Sequence, residues 1–212
     1  GDGQYTEREN FIPGEHSFQS HWNLSLSGDG NTIVIGSMTS SQIRTFEYSN
    51  NTWNVVSTVS VATKPMQIDL TPDGQKLLLT TGFDATSSSG FYIYNRDGNS
   101  WSQDTFHLID NPSPGTVRMW GAAFSKNGNF VAVGTAGTQS ASLPSRVFFF
   151  DYDSGSNSWI QRSSIITDEG TGGSFVYFNQ GRNIALSEES NGQITLITTD
   201  GHTYTLPAAP PE

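Results

Sequence analysis

Several residue types and patterns are missing from this chain, and each absence excludes a class of protein. The sequence contains no cysteine, which excludes disulfides and thiolate metal sites. No apolar run reaches 18 residues, so no transmembrane helix is expected. Only 10 Lys and Arg stand against 20 Asp and Glu, giving a formal net charge of −10. Because nucleic acids and anionic lipids attract basic surfaces, we expect no nucleic-acid partner and no membrane insertion.

The short motifs of common catalytic and cofactor sites are absent as well. There is no Gly-x-Ser-x-Gly elbow, no phosphate-binding loop and no dinucleotide fingerprint. The four histidines are too scattered to show the spacing of metal ligands. We therefore expect neither a metal nor a cofactor. Helical periodicity is also missing throughout the chain, which favours an all-β protein.

One pattern is present four times: an apolar-alternating run, a tight polar turn ending in glycine, and a second apolar run. The turn glycines are Gly30, Gly74, Gly128 and Gly181, spaced by 44, 54 and 53 residues. A repeat of about 40–55 residues made only of strands is typical of a β-propeller, with one blade per repeat. The sequence therefore predicts an all-β, four-bladed β-propeller in which each blade is a four-stranded antiparallel meander.

The repeat boundaries divide the chain into a propeller with short flanking segments. Residues 1–20 are expected to help to seal the ring, and residues 207–212 have the proline-rich composition of a linker. The propeller itself is predicted over 21–206. The predicted blades cover about 21–60, 65–109, 119–166 and 173–206.

Two of the repeats also carry a family resemblance. The first copy reads LSLSGDGNTIVIGS followed by QIRTFEYSNNTW, and the third reads AAFSKNGNFVAVGTAG followed by SRVFFFDYD. These segments resemble the FG-GAP-like repeats of extracellular propellers related to the integrin α-chain ring, over roughly residues 18–206. The resemblance implies a secreted or surface-displayed recognition domain. It does not imply calcium, because no copy has two acids at the spacing of a calcium-binding loop.

Acidic and amide side chains recur at one position of the repeated turn. Asp29, Asp73, Asn127 and Gln180 each precede the turn glycine. A catalytic acid need not recur once per blade, whereas a residue that shapes a turn must. We therefore interpret these side chains as acceptors for the backbone N–H two residues further on.

Two tryptophans occupy one position of the repeat in only two of the four copies, and they suggest a ligand site. Trp22 and Trp120 lie eight residues before their turn glycines, where an inner strand begins. His21 and Arg118 are close to them in sequence, and aromatic rings beside cations suit a sugar or a carboxylate. The alternative is that both rings plug the channel or seal contacts between blades. The predicted ligand-binding residues are Trp22, Trp120, Arg118, His21, Phe83 and Asp84.

Together these features predict a non-catalytic recognition or adhesion module on a cell or virion surface. It would bind a glycan or protein ligand through one face of the propeller, which carries the longer loops. The alternative is a structural component, such as a capsid or fibre decoration, in which the ring is an assembly unit. A hydrolase is less favoured because the sequence predicts no cluster of acidic residues at the mouth of the channel.

Overall fold

Alternating apolar residues and glycine turns form four antiparallel sheets in the computed structural model. The model describes residues 24–37, 40–81, 90–109, 118–136, 146–162, 166–167, 184–198 and 203–206. No helix in this part of the chain is long and apolar enough to cross a membrane.

The first two sheets have four strands each, hydrogen-bonded in chain order. Sheet 1 contains β1 (Leu24–Leu26), β2 (Thr32–Ser37), β3 (Gln42–Ser49) and β4 (Thr52–Ser60). Sheet 2 contains β5 (Ile68–Leu70), β6 (Lys76–Thr80), β7 (Gly90–Asp97) and β8 (Ser100–Leu108). Every neighbouring pair is antiparallel, so the predicted four-stranded meander is confirmed in both.

The third and fourth sheets follow the same order. Sheet 3 contains β9 (Arg118–Phe124), β10 (Phe130–Ala136), β11 (Arg146–Asp153), β12 (Ser158–Gln161) and the short β13 (Ile166–Thr167). Both β12 and β13 pair with β11, so they share one edge of the sheet. Sheet 4 contains β14 (Ile184–Glu188), β15 (Ile194–Thr198) and β16 (Thr203–Leu206). The inner strand predicted for the fourth copy lies outside the described residues.

The hydrophobic core lies between consecutive sheets, as expected for blades that pack face to face. The inner strand β5 contacts β1 on one side and β9 on the other, and β9 contacts β14. The cluster between sheets 1 and 2 contains Val34, Ile43, Val61, Ile68, Leu70, Leu77, Leu79, Tyr94 and Trp101. Similar clusters join sheet 2 to sheet 3 and sheet 3 to sheet 4. Closure of the four sheets into one ring stays a prediction, as do the exact blade boundaries.

The repeated turns have the geometry that the sequence predicts. Gly30, Gly74 and Gly128 all have φ near +70°, the left-handed region that favours glycine. The Asp29 carboxylate accepts a hydrogen bond from the N–H of Asn31 at 2.9 Å. Equivalent bonds run from the N–H of Gln75 to Asp73 at 3.0 Å and from that of Asn129 to Asn127 at 2.8 Å. The interpretation of Asp29, Asp73 and Asn127 as turn formers is confirmed, whereas Gln180 and Gly181 lie outside the described residues.

Replacing either acid with alanine is expected to lower the free energy of unfolding by about 0.5–2 kcal/mol, the scale of one lost local cap. Hydrogen bonds from Ser27 and Asn31 lower the pKa of Asp29. Asp73 is partly desolvated, but the bonds from Thr71 and Gln75 still lower its pKa. The stabilisation is therefore present above pH 3.8 and is lost as the pH falls through the folded-state pKa. Urea titrations of Asp29→Ala and Asp73→Ala at pH 7 and pH 2.5 measure this. A cost that persists undiminished at pH 2.5 would contradict it.

A tryptophan begins the outer strand of the first three sheets and packs against the strand it pairs with. The ring centroids of Trp53 and Tyr48 lie 5.3 Å apart, and those of Trp159 and Tyr152 are separated by the same distance. Trp53 and Trp159 therefore cap the hairpins in which they lie. In sheet 2 the ring also reaches the preceding blade, because Trp101 Nε1 donates a 2.7 Å hydrogen bond to Thr45 Oγ1.

The same position in sheet 3 lacks this bond. Trp159 Nε1 is buried and has no hydrogen-bond partner. By register, Ile93 occupies in sheet 2 the place of Thr45 in sheet 1, since each directly precedes the bulge of its strand pair. Trp159 therefore meets an apolar side chain where Trp101 meets a hydroxyl.

We expect Ile93→Thr to be more stable than the isosteric control Ile93→Val by about 1 kcal/mol, the net contribution of one hydrogen bond. The hydroxyl would accept from Trp159 Nε1, whereas both variants lose the same methyl volume. Urea unfolding of the two variants provides the comparison. If the valine variant is the more stable one, the threonine hydroxyl has gained no partner.

Candidate functional site

The strand order divides the connections between two ends of the sheets. In an antiparallel meander, the turns β1–β2 and β3–β4 lie at one end, while the β2–β3 connection and the link to the next sheet lie at the other. The first end carries short turns, and we call the second the long-loop end. Its connections include residues 61–67, 81–89, 109–117 and 137–145. The prediction that the longer loops emerge together is confirmed by this order.

Threonine hydroxyls close the bases of the two longest hairpin loops at this end. The N–H of Gly90 donates to Thr81 Oγ1 at 3.0 Å, while the N–H of Thr81 donates to the Gly90 carbonyl at 3.0 Å. In sheet 3 the N–H of Arg146 donates to Thr135 Oγ1 at 3.2 Å. Both hydroxyl-bearing residues are buried. Each loop therefore begins and ends at a fixed pair of backbone positions.

A neighbouring threonine also fixes the link between sheets 2 and 3. The N–H of Gln67 donates to Thr80 Oγ1 at 3.1 Å, and the same hydroxyl donates to the carbonyl of Met119 at 3.4 Å. In sheet 1, Ser37 occupies the place of Thr81, and its hydroxyl accepts from the N–H of Ser40 at 3.3 Å. A hydroxyl thus anchors the base of each of the two longest hairpin loops, whereas the Ser37 hydroxyl bonds to a residue within the short β2–β3 connection.

The inner strands hold one carboxylate that joins three sheets. Asp69, in the middle of β5, accepts a 3.1 Å hydrogen bond from Ser25 Oγ of sheet 1 and a 2.7 Å bond from the N–H of Phe124 of sheet 3. Ser25 Oγ in turn accepts from the N–H of Leu70 at 2.9 Å. Burial raises the pKa of Asp69, although these hydrogen bonds oppose the shift. Both carboxylate oxygens are occupied by bonds that tie the blades together.

Polar groups at the short-turn end are likewise paired between blades. Arg96 of sheet 2 forms an ion pair with Glu47 of sheet 1, and its side chain is almost fully buried. Asn127 of sheet 3 donates from Nδ2 to the carboxylate of Glu188 in sheet 4 at 2.8 Å. Among the described residues, no group of three His, Asp or Glu side chains converges to hold a metal. The Arg96–Glu47 and Asn127–Glu188 contacts therefore connect neighbouring blades.

The structure places only part of the predicted ligand site. Trp22, His21, Phe83 and Asp84 lie outside the described residues. Arg118 and Trp120 lie in β9, where only their backbone is described.

The backbone of these two residues lies at the long-loop end. Arg118 pairs with Ala136, at the end of β10 from which the loop 137–145 departs. Trp120 lies at a register shift opposite Gly134 and Thr135, a β-bulge. The role of Arg118 and Trp120 in ligand binding stays a prediction.

Sequence reasoning did not identify the hydroxyl clamps or the role of Asp69. The available signal was Asp69 itself, an acid at a repeat position that otherwise holds Ser25, Ala123 and Val176. The hydroxyl column at Ser37, Thr81 and Thr135 was the second signal.

Comparison with solved structures identifies the fold. The chain is similar to the β-propeller domain of Swd1 from Myceliophteria thermophila, with 12% identity, a TM-score of 0.55, and coverage of 89% of this chain and 53% of that one. It is also similar to the periplasmic gluconolactonase PpgL of Pseudomonas aeruginosa, with 14% identity, a TM-score of 0.54, and coverage of 89% and 57%. Sqt1 of Saccharomyces cerevisiae matches with 9% identity, a TM-score of 0.55, and coverage of 86% and 43%.

The chain has a β-propeller-type fold. It spans about half the length of these three solved chains. Sequence identities this low support a shared fold but say nothing about activity. No protein-family model matches the chain, and no curated protein matches it in sequence. The likeness is to propellers in general, and the FG-GAP resemblance stays a prediction.

Proposed function

We propose that this chain is a non-catalytic recognition module that binds a glycan or protein ligand through its long-loop end. The observation that carries the proposal is the pair of hydroxyl clamps at Thr81 and Thr135, which fix the bases of the two longest hairpin loops on their sheets. Loops held on a rigid scaffold are the usual position of binding residues. Asp69, Arg96 and Asn127 bond to neighbouring blades and lie away from these loop bases.

In this proposal the ligand contacts Trp22, Trp120, Arg118 and His21, with Phe83 and Asp84 at the rim. The start of β9 at the long-loop end supports the positions of Arg118 and Trp120. The net charge of −10 favours a neutral or cationic ligand. Display on a cell or virion surface, as the FG-GAP resemblance implies, is part of the same proposal.

The test is a glycan array probed with the wild-type chain and with Trp120→Ala. We expect the variant to lose about 30-fold in affinity, equivalent to about 2 kcal/mol for an aromatic anchor. Trp53→Ala is the matched control, since Trp53 lies in the β3–β4 hairpin at the short-turn end. The Trp53→Ala variant should bind as tightly as the wild type. Equal binding by Trp120→Ala, in a folded variant, would contradict the proposed site.

A lactone hydrolase is the second candidate. The raised pKa of Asp69 on an inner strand is a feature of catalytic acids, and PpgL is named as a gluconolactonase. Hydrolysis of gluconolactone by the wild-type chain, abolished in Asp69→Asn, would favour this candidate. We rank it second because Ser25 Oγ and the N–H of Phe124 already occupy the Asp69 carboxylate.

A further inference from the structure

The inner strand of sheet 1 exposes apolar side chains at positions that are buried in sheets 2 and 3. Leu24 is 61% exposed and Leu26 is 50% exposed. Their equivalents in sheet 2, Ile68 and Leu70, are 1% and 5% exposed. Apolar side chains at the same two repeat positions are therefore exposed in sheet 1 and buried in sheet 2.

The covered positions show what normally packs on this face. Ile68 and Leu70 of sheet 2 share a buried cluster with Val34 and Ile43 of sheet 1. In the next interface, Phe124 and other residues of sheet 3 share a cluster with residues of sheet 2. In each case the cover is the facing side of the preceding blade. The β1 face therefore has the composition and the geometry of a surface that receives another blade.

Sheet 4 exposes the reciprocal side. Ala185 has the repeat position of Val34, because both lie four residues after their turn glycines. Thr195 and Ile197 have the positions of Ile43 and Thr45 by strand register. Ala185 is exposed and Ile197 is 48% exposed, whereas Val34, Ile43 and Thr45 are buried. One chain thus carries both halves of a blade-to-blade interface, and none of the described sheets covers either half.

We propose that a second copy of this chain covers these faces. Sheet 4 of each copy packs on the β1 face of its partner, so that two copies close head to tail with two equal interfaces. The chain spans 53% and 57% of two of the solved propellers that it resembles, so two copies supply about one such ring. Two copies would bring together eight sheets, within the usual range of about 4–8 blades for propellers. Closed cyclic pairs are the commonest soluble oligomers.

Sedimentation of the wild-type chain at micromolar concentration measures its mass. We expect twice the 23.0 kDa of one chain, and 23.0 kDa for Leu24→Asp and Leu26→Asp. These substitutions place a charge on side chains that are exposed in one copy, so each copy should still fold. Leu108→Asp is the control, because Leu108 is exposed on the outer strand β8, away from the proposed interface. A measured mass of 23.0 kDa for the wild type would overturn the proposal. A Leu24→Asp variant that keeps twice that mass would overturn it as well.

Cross-linking separates the second copy from closure within one chain. The chain has no cysteine, so Leu24→Cys combined with Ala185→Cys introduces the only two thiols. A short bismaleimide should join two chains into one covalent species, and each single variant should remain largely uncross-linked. A cross-link formed within one chain would show a closed four-bladed ring and overturn the proposal. No cross-link in a monomeric chain would overturn it as well.

Discussion

Gly90→Ala is expected to lower the free energy of unfolding by about 3 kcal/mol, at the upper end of what overpacking costs. A Cβ at this position would lie 2.3 Å from the carbonyl oxygen of His107 and 2.7 Å from Cε2 of Phe106. The Phe106 ring could rotate away, but the His107 oxygen belongs to the backbone of β8, which pairs with β7. Relief therefore requires the two strands to separate at the base of the 81–89 loop.

Thermal and urea unfolding of Gly90→Ala measure this cost. Gly98→Ala is the matched control, because Gly98 lies in the turn of the same β7–β8 hairpin and a Cβ there meets nothing within 4 Å. Its φ of +57° still disfavours alanine, so we expect a cost of about 1 kcal/mol. Similar losses in the two variants would show that β8 yields easily at His107 and that the clash is not decisive.

The strands and turns could be predicted from the sequence because they depend on local chemistry. Alternation at period two sets the strands, and the acid or amide before each turn glycine sets the turn. The hydrogen bonds of Asp69 could not be predicted, because its partners Ser25 and Phe124 lie 44 and 55 residues away. Whether such side chains meet is decided by how the blades stack, which no single repeat encodes.

The number of blades in the ring is equally hidden from the repeat pattern. Leu24 and Ile68 belong to one column and have the same apolar character, yet one is exposed and the other buried. What differs is whether one of the described sheets packs against them, and the residue at this repeat position does not encode that. The ligand site could not be predicted with certainty for a related reason. Trp22 and Trp120 occur in only two of the four copies, so a comparison of the copies does not distinguish a structural role from a ligand-binding one.

Asp69→Ala is expected to be the most damaging substitution on the inner strands, with a loss of about 3 kcal/mol. It removes the acceptor for the N–H of Phe124 and for Ser25 Oγ, and an unsatisfied buried donor costs about 1–3 kcal/mol. Asp69→Asn is the informative partner variant. Its amide oxygen still accepts from the N–H of Phe124, and its amide nitrogen can donate to Ser25 Oγ. The asparagine variant should therefore remain close to the wild type in stability.

The difference between Asp69→Asn and the wild type should depend on pH in a defined direction. Burial raises the pKa of Asp69 in the folded protein above 3.8, so the folded state binds a proton more tightly than the unfolded chain. Wild-type stability from this group is therefore greatest below pH 3.8 and falls as the pH rises through the folded-state pKa. The asparagine side chain does not titrate. The melting temperature of the variant should therefore rise relative to that of the wild type as the pH increases from 3 to 7. Melting curves across this range provide the measurement, and a constant difference would show that Asp69 is ionised in the folded protein at no cost.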